Sequence, residues 1–255
     1  MKLTTKKIQR SSGRKADEMR NITFKKDFVA NAQGSCLVSF GNTQVICTAT
    51  IDEKVPRFLR NTGSGWVTAE YSMLPSATHE RCQREAARGK QTGRTQEIQR
   101  LIGRALRQAV DLKRLGERQI VVDCDVINAD GGTRTASICG GFVAMFLALA
   151  AHPKLSQSNK FPIQKYIAAI SCGLIDGAAV VDLDYAEDSN AITDANFVMD
   201  HKGGLIEVQS TGEEGTFSHG ELFEMLTLAN SAAKNIIEIQ KECLGAHNLG
   251  KKYKI

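Results

Sequence analysis

The sequence predicts an α/β (α+β) fold built from two similar βαβ-containing halves. Three observations carry that prediction. Hairpin signals, Gly41-Asn42 and Asp176-Gly177, join β-like runs in each half of the chain. Each half also holds a long helical period, one beginning near Thr95 and one running from Ser218 to Cys243. Finally, 255 residues, 42% of them hydrophobic, suffice for one large domain or two closely packed halves around a sizeable core. We place the halves at 10–155 and 163–243 of a single 1–255 unit, with a junction in SQSNKFP (156–162) and a frayed basic tail, GKKYKI, at the end.

Taken in order, SCLVSF and TQVICTATI read as strands paired across Gly41-Asn42. DEKVPRFLRNTGSGW is rich in turn residues, and WVTAEYSML reads as a further strand. From Arg81 to Arg94 the chain is crowded with charge. Then Ile98, Leu101, Ile102, Ala105, Leu106, Ala109 and Val110 recur at helical steps, with Arg100, Arg104 and Arg107 on another face and Gly116 placed as a C-cap. In QIVVDCDVI, Ile120, Val122, Cys124 and Val126 share one strand face and Asp123 and Asp125 the other, where arginine pairing inside the fold is one reading. The apolar segment SICGGFVAMFLALAA follows as a buried helix; its longest apolar run, 138–151, is short for a bilayer span. KYIAAISCGLI, AAVVDLDYA and LIEVQS supply strands of the second half. Ser218 and Glu221 form an S-x-x-E capping box ahead of a helix whose Leu222, Leu226, Ala229, Ala233, Ile236, Ile237 and Gln240 lie roughly on one face.

Composition narrows the function. Seven cysteines, an odd number with no CxxC, read as buried free thiols in a reducing compartment rather than a disulfide or zinc framework. The N-terminal run MKLTTKKIQRSSGRK has the charge of a signal peptide without an apolar region behind it. A cytoplasmic protein with no membrane partner is expected. The net charge of +5 allows a polyanionic partner without demanding one. Aromatic residues, at 6%, argue against binding single strands mainly by base stacking. The five histidines are scattered, and HExxH, GxSxG and Walker spacings are absent.

Three segments remain as candidate sites. In ADGGTR (129–134), two glycines let the backbone approach a ligand, a helix start offers unpaired N–H groups, Thr133 offers a hydroxyl and Arg134 a planar fork. Together these make an anion cradle; the same run also reads as a glycine turn capping a buried helix, with Arg134 solvated. GKQTGR (89–94) adds Arg94 and Lys90 as phosphate contacts, or is a flexible basic loop. In YAEDSNAITDAN (185–196), Asp188 and Asp194 stand six apart, off helical register, with Glu187 beside them. Two carboxylates with phosphate oxygens suit Mg²⁺, and one with a raised pKa would serve acid–base work; a solvated acidic loop is the plainer reading.

The segments GWVTAEYSMLP, REAARGKQTGRTQEIQRLIGRALRQAVDL, DCDVINADGGTRTAS and YAEDSNAITDANFVM together resemble the bacterial ribonuclease PH family, over roughly residues 10 to 243. The resemblance implies a ribonuclease PH-like fold and a homohexameric ring, a trimer of dimers. It implies a phosphate-dependent 3′→5′ exoribonuclease that trims tRNA precursors and other structured RNA with 3′ extensions, releases nucleoside diphosphates, and adds nucleotides in reverse. Carried onto this chain, it implies that Arg94, Gly132, Thr133 and Arg134 bind inorganic phosphate as co-substrate, and that Asp188 and Asp194 are the catalytic, Mg²⁺-holding pair. Family members often carry an arginine just after MLP in a basic loop that grips RNA. Here Ser76 and Ala77 stand there, and Arg81, Arg84 and Arg88 follow as candidate RNA contacts. Inactive ring-forming relatives would have lost the arginines or the acidic pair. A simple RNA-binding module would show aromatic motifs or a denser basic stripe, and a polynucleotide phosphorylase would need more chain.

Overall fold

The computed structural model describes residues 10–157, 159–245 and 253. The first half forms β1 (Ile22–Lys26), β2 (Gly34–Phe40), β3 (Thr43–Asp52), β4 (Trp66–Met73), α1 (Glu85–Arg88), α2 (Gly93–Arg107), α3 (Leu112–Leu115), β5 (Gln119–Asn128) and α4 (Thr133–Ala151). The second half forms β6 (Ile167–Ile175), β7 (Ala178–Val181), α5 (Tyr185–Asp188), β8 (Thr193–Asp200), β9 (Leu205–Gly212) and α6 (His219–Leu244).

The five-stranded sheet has the order β1-β2-β3-β5-β4, antiparallel except where β4 runs parallel to β5. That parallel pair, with α2 between its strands in sequence, is a βαβ unit. The four-stranded sheet, β7-β6-β8-β9, is antiparallel throughout. There β7 and β8 flank β6 and run parallel, a βαβ split by an intervening strand, with only the four-residue α5 between them in sequence.

Alternation sets the faces as read. Ile120, Val122, Cys124 and Val126 are buried on one face of β5. On the other face Asp123 finds no arginine among the described residues. It lies opposite Glu70 in β4, within 3.5 Å of the Thr48 hydroxyl, and burial and then Glu70's charge push its carboxyl up. Both predicted hairpins form; Asp176 and Gly177 take φ of 50° and 72°, the paired positive values of a tight two-residue turn.

α4 is the shared element. It packs on β2 and β3 of one sheet and on β6 of the other, and a single buried cluster runs through both halves. A Cβ on Gly140 would stand 2.5 Å from Val38 Cγ1, so glycine here lets the helix lie directly on β2. Because α4 begins at Thr133 it reaches 19 residues, long and apolar enough by composition to cross a membrane, which the shorter apolar run did not suggest. Protein encloses 78% of that stretch, so its apolarity is that of a core helix.

Two other expectations change. α2 ends at Arg107, and Gly116 closes the separate α3, whose N-cap Asp111 accepts from Lys113 and Arg114. Of the tail GKKYKI, all but Tyr253 lies outside the described residues; Tyr253 is buried, its ring stacked on Phe161 at 3.7 Å between centroids. The junction is pinned: the Asp111 amide donates to Pro162 and the Gln164 amide to Ala109.

Candidate active site

The turn from β5 into α4 is shaped by Gly131 and Gly132, both left-handed at φ 72° and 67°. A Cβ on Gly131 would stand 2.5 Å from the Leu183 carbonyl oxygen and 2.7 Å from the Asp184 carbonyl carbon. The turn therefore lies hard against the segment of the second half that leads into α5. Gly132 is the N-cap of α4 and contributes no capping side chain, so the first N–H groups of that helix remain available to an anion. Thr133 is buried, and its hydroxyl meets the Tyr71 hydroxyl at 2.9 Å. Burial raises the Tyr71 phenol, against Thr133 and the charges of Arg94 and Arg134. Arg134 donates to Gln209 at 3.1 Å, and Gln209 in turn donates to Glu97 at 2.7 Å.

Arg94 sits in the first turn of α2. The turn before it is stapled by Glu85, whose carboxylate accepts from Thr92 N–H, Thr92 Oγ1 and Thr95 Oγ1. Among the described residues Arg94 makes no side-chain hydrogen bond or ion pair. Asp188 is the last residue of α5, held by a capping box between Asp184 and Glu187. Asp194 lies on β8 between Gly173 and Thr211, and Asn196 reaches back to it at 3.4 Å.

Arg94, Thr133, Arg134, Asp188 and Asp194 line one cavity of about 710 Å³. The sequence-predicted phosphate and acidic residues are thus brought together from four elements, α2, α4, α5 and β8. The two acids behave as a like-charged pair out of water. Burial raises the Asp188 carboxyl against the pull of Arg134 and Arg94. Burial, then the charge of Asp188, pushes Asp194 up to about 6. Among the described residues no cluster of three metal-binding side chains forms. The donors are two carboxylates beside the Asn196 amide, hard oxygen ligands that suit Mg²⁺ if water and phosphate oxygens complete its shell.

Arg81, Arg84 and Arg88 line an adjoining recess together with Lys90, and Arg94 belongs to both spaces. Ser76 is exposed, whereas Ala77 is buried and its carbonyl accepts from Ala129 N–H at 2.8 Å. Glu187 does not join the acidic pair. It turns inward to Arg10 at 2.6 Å and Arg14 at 3.0 Å. Sequence reasoning missed this cluster, in which Arg14 also reaches Asp184 at 3.2 Å and Arg20 grips Asp182 at 2.7 Å. Arg20 further donates to the carbonyls of Asp130 and Gly131, tying the glycine turn to the second half. Asn196 and Gln209 were missed too, and Tyr71, in a strand-like run, read as a residue that simply packs.

Models of the 3′ exoribonuclease family match the chain twice, domain 1 at residues 18–150 and domain 2 at 165–232. Ribonuclease PH of Rhodospirillum rubrum is 53% identical over 237 residues, which cover 93% of this chain and 99% of that one. Among solved structures, rice Rrp46 superposes with a TM-score of 0.74 at 18% identity, over 91% of this chain and 98% of that chain. The Archaeoglobus fulgidus exosome with RNA bound to the active site gives 0.75 at 21%, over 90% and 91%; at these identities the likeness bears on the fold alone. With both domains matched in order and close identity along nearly its whole length, the chain belongs to the 3′ exoribonuclease family.

Proposed function

We propose that this chain is a phosphorolytic 3′→5′ exoribonuclease that trims tRNA precursors and other RNA with 3′ extensions. Inorganic phosphate is its co-substrate, nucleoside diphosphates leave, and nucleotide addition is the reverse reaction. One observation carries the assignment of the site: two arginines that form no ion pair among the described residues, Arg94 and Arg134, share a cavity with an uncapped helix start and an acidic pair.

Each part has a task. Phosphorolysis brings an anionic nucleophile to an anionic phosphodiester, and two unit charges about 4 Å apart repel by roughly 1 kcal/mol in water and by more in a drier site. Arg94, Arg134 and the N–H groups that follow Gly132 offset that repulsion and orient the free phosphate for attack. Thr133, set by Tyr71, offers its hydroxyl to the same anion. Asp188 and Asp194 would hold Mg²⁺, which when bound supplies charge neutralisation at the scissile phosphate and the departing oxygen. Arg81, Arg84 and Arg88 attract the RNA backbone, which positions the strand without reading its sequence. The working particle is a homohexamer, a trimer of dimers, in the cytoplasm; light scattering on the purified protein tests the assembly.

The function is tested by incubating a tRNA precursor with and without phosphate. Nucleoside diphosphate should appear only with phosphate; phosphate-independent release of monophosphate refutes the reading. Asp194→Asn should abolish release while the circular dichroism spectrum stays unchanged, and an active Asn variant removes the metal role from this pair.

A further inference from the structure

The cavity lining mixes two chemistries. Beside Arg94, Arg134 and the acidic pair it includes Met73, Cys82, Ala129, His79 and Tyr185. The phosphate reaction uses none of this second set. Tyr185 is the first residue of α5, three before Asp188 on the same turn, and is 52% exposed. Its ring lies 5.5 Å from the His79 imidazole, inclined at 57°, and His79 is itself exposed. The backbone beneath is fixed: Tyr185 N–H donates to Asp130 at 3.2 Å, and the Asp184–Glu187 capping box sets the turn. A large aromatic ring kept at the wall of the cavity, with half its surface in water, contributes little to the core. It does offer a flat apolar face, and the cavity falls within the range of roughly 300–1,000 Å³ that encloses small ligands.

We propose that Tyr185, backed by His79, is the stacking platform for the base of the 3′-terminal nucleotide, while the arginines that line the same cavity take the phosphates. This rests on the phosphorolysis reading and adds the base subsite to it. Every nucleobase has a π-face, so such a platform grips the terminal residue without regard to its identity. α5 carries the platform at one end and a catalytic carboxylate at the other, so one rigid turn registers the base against the reacting phosphate.

The experiment is steady-state phosphorolysis by the full chain, measuring KM for a short oligoribonucleotide and for phosphate separately. Tyr185→Ala should raise KM for RNA about tenfold to a hundredfold and leave KM for phosphate unchanged. Tyr185→Phe should behave as wild type, and His79→Ala should give a smaller rise. An oligonucleotide with an abasic 3′ residue should cost the wild type a similar factor and Tyr185→Ala nothing further, because the two changes remove one contact. The platform is refuted if Tyr185→Ala keeps the wild-type KM for RNA. It is equally refuted if the penalty persists in full on the abasic substrate, or if the change follows dissociation of the oligomer in light scattering. Should the wild type release nothing in the presence of phosphate, the phosphorolysis reading fails, and the platform is judged by equilibrium binding of the same two oligonucleotides.

Discussion

Two groups of arginines lie on either side of the glycine turn, and they are used in opposite ways. Arg10, Arg14 and Arg20 are closed off by Asp182, Asp184 and Glu187, and the Arg10 side chain has no exposed surface at all. Among the described residues Arg94 and Arg134 form no ion pair with a carboxylate, although Asp188 and Asp194 line the same cavity. The first group is a clamp: guanidinium forks and carboxylates compensate each other's burial and fasten the N-terminal segment to the second half. The second is a receptor, because no carboxylate fills its forks among the described residues, although its charge acts on Asp188 across the cavity. Residue type does not distinguish them; what fills the fork does. Arg20 stands between the two, bonded to Asp182 and to the carbonyls of the turn that begins α4.

The largest effect separating the groups should come from Arg10→Ala. It removes the main partner of a buried carboxylate and should lower unfolding free energy by about 3–5 kcal/mol, toward the low end because Arg14 keeps a contact with Glu187. Urea denaturation checks this, and KM for phosphate should not move. The clamp also has a pH signature. Burial pushes the Glu187 carboxyl up, but the hydrogen bonds and charge of Arg10 more than offset it, and it lies below its ordinary value. Its stabilisation is complete above the unfolded-state value and lost as pH falls through the folded one. Arg10→Ala should therefore flatten the acid limb of stability against pH.

Next in size, Arg94→Ala and Arg134→Ala should each lower phosphorolytic turnover by about 10²–10³-fold. Denaturant midpoints and tRNA binding should stay near wild type. A variant that unfolds early instead would move its arginine into the clamp. Gly131→Ala probes the border between the groups: with φ at 72° and Leu183 O in the way, it should lower stability by roughly 1–3 kcal/mol and reduce activity as the turn shifts. The smallest effect concerns thiols. Cys36 and Cys139 are buried and their thiols are pushed up, Cys139 to about 12, whereas Cys82 is exposed and lines the cavity. Iodoacetamide on the native protein should label Cys82 first by mass spectrometry, and saturating phosphate should leave the buried pair unlabelled.

What the sequence made legible is what depends on near neighbours. Period-2 runs, two-residue turns, the Ser218–Glu221 box and the buried stripe of α2 all appear where local chemistry put them. The parallel β4–β5 pair followed from the helical period between its strands. Distant partners were not legible. The bonds of Arg10 to Glu187 span 177 residues, and nothing near Arg10 announces an acid. Glu187 and Asp188 are adjacent and alike in sequence, yet one turn of helix sends the first to the clamp and the second to the cavity. The Tyr71–Thr133 bond, 62 residues apart, exists only once β4 and the start of α4 are neighbours. Pattern offered Arg94 and Lys90 together as phosphate contacts, and resemblance chose Arg94 between them.

The position of α4 has a consequence for thermal inactivation. The turn that receives phosphate opens a helix whose remaining length is the core of both halves. That end of the site has no independent melting transition, so activity lost on heating should coincide with calorimetric unfolding of the whole chain, and phosphate should shift both curves upward together.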